Sequence, residues 1–222
     1  SRASLPPNLY ARKYERLFGH YEPLEPERAF RGTLGLPRVL NMYENYPFWF
    51  TLFTTLGFRV ELSSTRPEES LGIDTVPSQT VCYPAKLAHR HLLDLIGRGV
   101  TRIFYPGVPK ERIESEGTHN HFNCPVLAGY PDVVRLNIDE LREPGVEFVA
   151  PFLPLDSPRA MLKHLPEALA AFRDVRIGKR EIKRALDAAY AEQSRFKRDI
   201  RAYGDEVLEF LKREGGIGIV LA

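Results

Sequence analysis

Two regimes of hydrophobic patterning divide the chain. From Lys179 to about Lys212, the positions Ile182, Leu186, Ala189, Phe196, Ile200, Tyr203, Val207 and Leu211 step by three or four, with Arg, Lys, Asp and Glu between them. That spacing predicts one long or once-broken amphipathic helix whose charged side is a solvated face. Upstream, short apolar runs alternate with helical periodicity. "GTLGLPRVL" reads as a strand, "YPFWFTLFTTLGF" as a buried helix closing on a glycine C-cap, and "RVELSS" as a second strand. "EESLGID" is a short helix candidate. From about Ala85 to Gly97, the residues Leu87, His91, Leu92 and Leu95 fall at helical spacing, and Gly97 and Gly99 end the run. "VTRIFYPG" is a third strand, "CPVLAGYPDVVRLNI" combines an apolar segment with a helix, and "VEFVAPFLPL" is a fourth strand leading to a helix over Pro158 to Phe172.

Strand and helix in alternation predict an α/β, Rossmann-like fold: a mainly parallel sheet with helices on both faces, plus the long C-terminal amphipathic helix. Three segments follow. Residues 1–31 are rich in Pro, Arg and Glu with scattered Tyr10, Tyr14, Phe18 and Tyr21, lack a clean period, and read as an arm or linker. Residues 32–178 form the α/β domain. Residues 179–222 hold the long helix and the start of a further strand, "GGIGIVLA", whose apolar character is expected to continue in a longer chain.

Composition narrows the function classes. At 222 residues, with 43% hydrophobic and 27% charged residues, the chain is long enough for a substantial core and reads as globular. A net charge of +2 is too mild to nominate a nucleic-acid partner, which needs basic residues gathered on one face. No apolar run is long enough for a membrane span, and residues 1–30 lack the apolar core of a signal peptide. A cytoplasmic location with reduced, buried or metal-bound thiols is therefore the expectation for the two cysteines.

In open α/β sheets, the working face lies at the carboxyl ends of the strands. Three loops stand out there: "SQTVCYPAK", "FYPGVPKE" and "HNHFNCPVLAGYP", which put Cys82, Gly107 and Cys124 at matching points in successive units, each with a proline beside or near it. A thiolate at a helix N-terminus is stabilised by free amides, and nearby prolines fix the backbone. Either thiol could equally be a small buried hydrophobe. Cys82 and Cys124 with His119 or His121 would make a zinc set, although the tight cysteine pairs of most zinc sites are missing. His89 and His91, on a helix, read as structural or exposed. No phosphate-binding glycine motif is present. "PRVLNMYENYPFWF", with its amides, aromatics and the charges of Arg38 and Glu44, reads either as a loop that orders a site or as a capped turn. In the second reading Asn41 or Asn45 caps the helix and Pro47 lies in its first turn.

Together, "GLPRVLNMYENYPFWFTLFTTLGFRVELS", "VPSQTVCYPAKLAHRHLLDLI", "FYPGVPKE" and "FNCPVLAGYP" resemble the DUF2229 domain of acyl-CoA dehydratase activase-related proteins, over about residues 21 to 222. That family is related to the iron–sulfur subunits of 2-hydroxyacyl-CoA dehydratases. The resemblance implies a [4Fe–4S] or related cluster held by cysteines of successive loops, single-electron transfer coupled to ATP-dependent activase domains, and those ATPase domains as partners, with a homo-oligomer as a further expectation. Cys82 matches the first ligand position and Cys124 the last, whereas Gly107 stands where the family pattern has cysteine. A glycine offers no thiolate. The resemblance therefore leaves open a cluster completed by His119, His121, a partner residue or an exogenous ligand, a lost cluster with a docking role, or a small-molecule or acyl-CoA site that uses the space left at Gly107.

Overall fold

A computed structural model describes residues 7–218. Its centre is a four-stranded, all-parallel sheet of β1 (Thr33–Leu36), β2 (Arg59–Leu62), β3 (Arg102–Phe104) and β4 (Glu147–Val149), in the order β2-β1-β3-β4. Between the strands lie α2 (Met42–Thr55), α3 (Tyr83–Gly97) and α4 (Pro125–Asn137); α5 (Pro158–Leu169) and α6 (Lys179–Glu214) follow β4, and α1 (Leu9–Tyr14) precedes β1. The α/β class, the parallel sheet and the long C-terminal helix all stand as the sequence pattern predicts.

Alternate strand residues feed two separate cores, as a pleated sheet covered on both faces requires. One face is aromatic: Leu34, Leu36, Val60, Phe104 and Val149 meet α2, α5 and α6. Within it, Trp49 lies 5.3 Å from Phe104 and 4.8 Å from Phe48, while Phe53 lies 4.9 Å from Phe104 between ring centroids. The other face joins Ile103 and Tyr105 to Ala85, Ala88, Leu92 and Leu95 of α3 and Val134 of α4. Gly35 faces this second layer. A Cβ there would sit 2.8 Å from Val100 and 3.2 Å from Leu95, so glycine lets the end of α3 pack directly on β1.

Several boundaries differ from the sequence expectations for identifiable reasons. Residues 68–74 form consecutive turns instead of a helix, with Gly72 in the left-handed region at φ +72. Pro47 lies inside α2 rather than in its first turn, and neither Asn41 nor Asn45 caps with its side chain. Burial of Tyr46, Phe48, Trp49, Leu52 and Phe53 outweighs the one hydrogen bond that Pro47 removes. Arg38 and Glu44 do not pair: Arg38 bonds Tyr14 and Ser63, and Glu44 meets Lys13. The fourth strand is short because Pro151 and Pro154 cannot donate to a ladder.

The segment preceding β1 is packed, not extended. α1 runs into a π-helical turn over Glu15–Gly19 that buries Arg16, Leu17 and Phe18 against α2 and α6. Helix α6 is unbroken over its 36 residues; its buried face runs from Ile182 to Phe196, and Leu208 is exposed beyond it. Residues 216–218 are not in a strand, and the rest of the expected terminal strand lies outside the described residues. Among the described residues, no helix is long and apolar enough to cross a membrane.

Candidate functional site

The strand order reverses direction between β1 and β3: the chain leaves β1 toward β2, then crosses back over α3 to β3. At such a switch point, the loops at the carboxyl ends of the two strands part and leave a crevice. Here the crevice is a cavity of about 430 Å³, walled by Arg38 and Leu40 after β1, Tyr43 of α2, Pro84 and Leu87 of α3 and Leu127 of α4.

Polar side chains tie together the elements that carry its walls. Asn45 Nδ2 and Asn123 Nδ2 both donate to Glu111 Oε1, at 2.8 and 3.0 Å, and Asn123 also donates to the Val108 carbonyl at 2.8 Å. These bonds tie α2 to the loop that delivers Cys124. On the other side, the Arg38 amide donates to Ser63 Oγ at 2.8 Å, and that hydroxyl lies 2.8 Å from His91 Nδ1. Leu40 completes the turn at φ +46, a left-handed conformation that a branched apolar side chain adopts only under constraint.

Cys82 and Cys124 are the N-cap residues of α3 and α4, as the loop positions predict, and both are exposed free thiols rather than buried hydrophobes. Neither side chain caps its helix. The two helices are neighbours: Tyr130 of α4 donates to or accepts from His89 Nε2 at 3.1 Å. Burial raises the Tyr130 phenol pKa, with Cys82 a lesser cause of the same shift. His89 and His91 are structural and buried. Burial lowers both to about 4, with the Arg38 charge adding to the shift at His91, so both rings are neutral near pH 7.

The other predicted site residues do not complete a ligand set. His119 is exposed; His121 is half-buried and stacked on Phe122, and its buried Nδ1 lacks a hydrogen-bond partner. Gly107 is buried, donating to the Pro151 carbonyl at 2.9 Å and accepting from the Leu153 amide at 2.9 Å. The space at Gly107 is filled rather than open: a Cβ would lie 2.5 Å from the Ala128 carbonyl oxygen and 3.1 Å from the Phe152 ring. The first turn of α4 passes directly over this glycine. Among the described residues, no three His, Cys, Asp or Glu side chains converge to hold a metal ion. The donor set therefore does not fit a complete four-ligand iron–sulfur site within these residues.

The packing makes a prediction about Gly107. Gly107→Cys and Gly107→Ala are both expected to destabilise the fold by about 1–3 kcal/mol, because either Cβ must displace the α4 backbone. Urea midpoints of the two variants would check this, and a stable Gly107→Cys would mean that α4 yields freely.

A three-layer α/β domain with an apolar crevice at its switch point and two thiols on adjoining helix N-termini has a doubly wound α/β architecture. The chain is a member of the CoA enzyme activase uncharacterised domain family (DUF2229), whose family model matches residues 33–222. No curated protein and no solved structure shows a match to it.

Proposed function

We propose that this domain is a docking module of a CoA enzyme activase-related protein, and that its carboxyl edge receives an activase-type ATPase domain. The observation that carries the reading is the exposure of Tyr83 (65%), Phe122 (67%) and Phe152 (55%), with Val126, around Cys82 and Cys124 on that edge. Large apolar side chains gathered beside a site mark surfaces that a partner covers. The family's activase description supports the ATPase as that partner. Two free, exposed thiols are compatible with work in the cytoplasm, where thiols stay reduced.

A second reading rests on the two N-cap thiols. Cys82 and Cys124 would supply two ligands of an iron–sulfur cluster shared with the partner, the rest coming from outside the described residues. When bound, such a cluster supplies single-electron transfer. The chain's own contribution is to hold both sulfurs at helix N-termini, where amides offset thiolate charge.

One set of measurements separates the readings. Sedimentation of the chain with a purified activase-type ATPase, in each nucleotide state, is expected to give a complex that Phe122→Asp or Tyr83→Asp weakens about tenfold. In the docking reading, Cys82→Ser and Cys124→Ser leave that affinity within about threefold, less than the ~1.4 kcal/mol of a tenfold change. Stoichiometric iron and acid-labile sulfide in the anaerobic complex, lost in both serine variants, would instead establish the shared cluster. Failure to associate in every nucleotide state would overturn the docking reading, and self-association of the chain alone would assign the edge to a second copy.

A further inference from the structure

The crevice at the switch point has the makings of a ligand site of its own, independent of what docks on the carboxyl edge. Its volume, about 430 Å³, falls within the roughly 300–1,000 Å³ range of small-molecule pockets. Its walls are mainly apolar, with Leu40, Pro84, Leu87, Leu127 and the rings of Tyr10 and Tyr43, and a single lining residue is charged. That residue is Arg38.

That guanidinium is fixed without being neutralised. Its Nη1 donates to the Tyr14 hydroxyl at 2.9 Å and its Nε to the Ser63 carbonyl at 3.3 Å. The carbon at its centre sits 4.7 Å from the Phe18 ring centroid and 5.9 Å from that of Tyr14. Among the described residues no carboxylate comes within 4.0 Å of it, and its Nη2 donates to no protein acceptor, whereas Arg16, Arg31, Arg59 and Arg102 each have an acidic partner. A guanidinium stacked on aromatics and partly hydrogen-bonded keeps its planar fork available to an oxyanion.

Two further features act in the same direction. Pro84 and Leu127 belong to the first turns of α3 and α4, so the positive ends of two helix dipoles adjoin one cavity. Leu40 is held at φ +46 in its wall, the kind of local strain that persists where surrounding structure enforces it. We propose that this crevice binds a small organic carboxylate with an apolar body, its carboxylate on Arg38 and its chain against Leu40, Leu87 and Leu127. The four groups that carry the idea come from β1's loop, α3 and α4, so binding would also clamp the elements that present the two thiols.

The test uses 1-anilinonaphthalene-8-sulfonate as a fluorescent probe on the full chain, displaced by octanoate or by the neutral 1-octanol. Octanoate is expected to displace the dye at about tenfold lower concentration than octanol, the scale of one charge-assisted hydrogen-bonded contact. Arg38→Met should erase that ratio while octanol still competes, and Leu127→Trp, which fills the cavity, should abolish dye binding in a variant with an unchanged far-UV spectrum. If either variant fails to fold, Arg38→Gln and Leu87→Trp carry the same expectations. Equal potency of octanoate and octanol on the unmodified chain, a ratio that survives loss of the guanidinium, or dye binding that persists in the filled cavity would each overturn the proposal.

Discussion

Replacing Arg16 with methionine is expected to destabilise the fold by about 3 kcal/mol, the lower end of what breaking a buried ion pair costs. Arg16 is 6% exposed, yet it makes three side-chain bonds: to Glu192 at 2.8 Å, to Asp199 at 2.8 Å and to the Tyr21 hydroxyl at 2.6 Å. Burial opposes its charge, but the hydrogen bonds to Glu192, Asp199 and Tyr21 more than offset this and raise its pKa. Methionine keeps the length of the stem and removes the charge. Glu192, 8% exposed, then keeps the Tyr21 hydroxyl at 2.8 Å but only one cation, Arg195, at 3.2 Å on an exposed side chain. The damage should spread beyond α6, because Arg16 anchors the helical segment that places Tyr14 against Arg38. Limited proteolysis should therefore find residues 9–21 cleaved faster in Arg16→Met. Pairing the change with Glu192→Leu should recover part of the loss, since the stranded carboxylate is then gone. A urea-derived loss below about 1 kcal/mol would mean that the pair adds no more than a surface bridge.

The same network explains why the N-terminal helix was illegible in the sequence. Its inward face is built on Arg16 as well as Leu17 and Phe18, and a buried arginine breaks the apolar period on which a helix assignment rests. Helix α6 suffers less from its buried Glu192 and Gln193, because Ile182, Leu186, Ala189 and Phe196 repeat around them. Strand and helix order was readable because each unit carries its own local signal, down to the glycines at positions 97 and 99 that close α3. The loop after β1 stood out by composition, and it does border the crevice. What no local signal carried is the crevice itself, since Arg38, Leu87 and Leu127 are far apart in sequence and meet only once the sheet forms. The same limit applies to the thiols. Sequence placed Cys82 and Cys124 at helix starts, but whether they are covered depends on how α3 and α4 meet the loops around them.

Acid should unfold this domain early, through the two buried histidines. In the unfolded chain each ring takes up its proton near the ordinary pH 6.5, whereas in the fold both are held to about 4, by burial first. Between those values the unfolded state binds more protons, so stability falls as pH falls; above 6.5 the full contribution is present, and below about 4 the loss levels off. The expected loss is roughly 2 kcal/mol per ring by pH 5 and about 3 by pH 4. The surroundings of each ring explain the direction. His89 faces Thr75 Oγ1 at 2.7 Å and the Tyr130 hydroxyl at 3.1 Å, neither of them a charge that would favour imidazolium. His91 faces Ser63 Oγ, with Arg38 and Arg90 opposing a proton and Asp94 only partly countering them. Urea midpoints between pH 7 and 5 isolate the effect, because ordinary carboxylates titrate near pH 4. His91→Gln should reduce the slope by about half, one of two protons having been removed from the linkage. A stability that stays flat over that range would show that the native fold accepts these protons, and with them a charged ring on the Ser63 hydroxyl that seats the Arg38 loop.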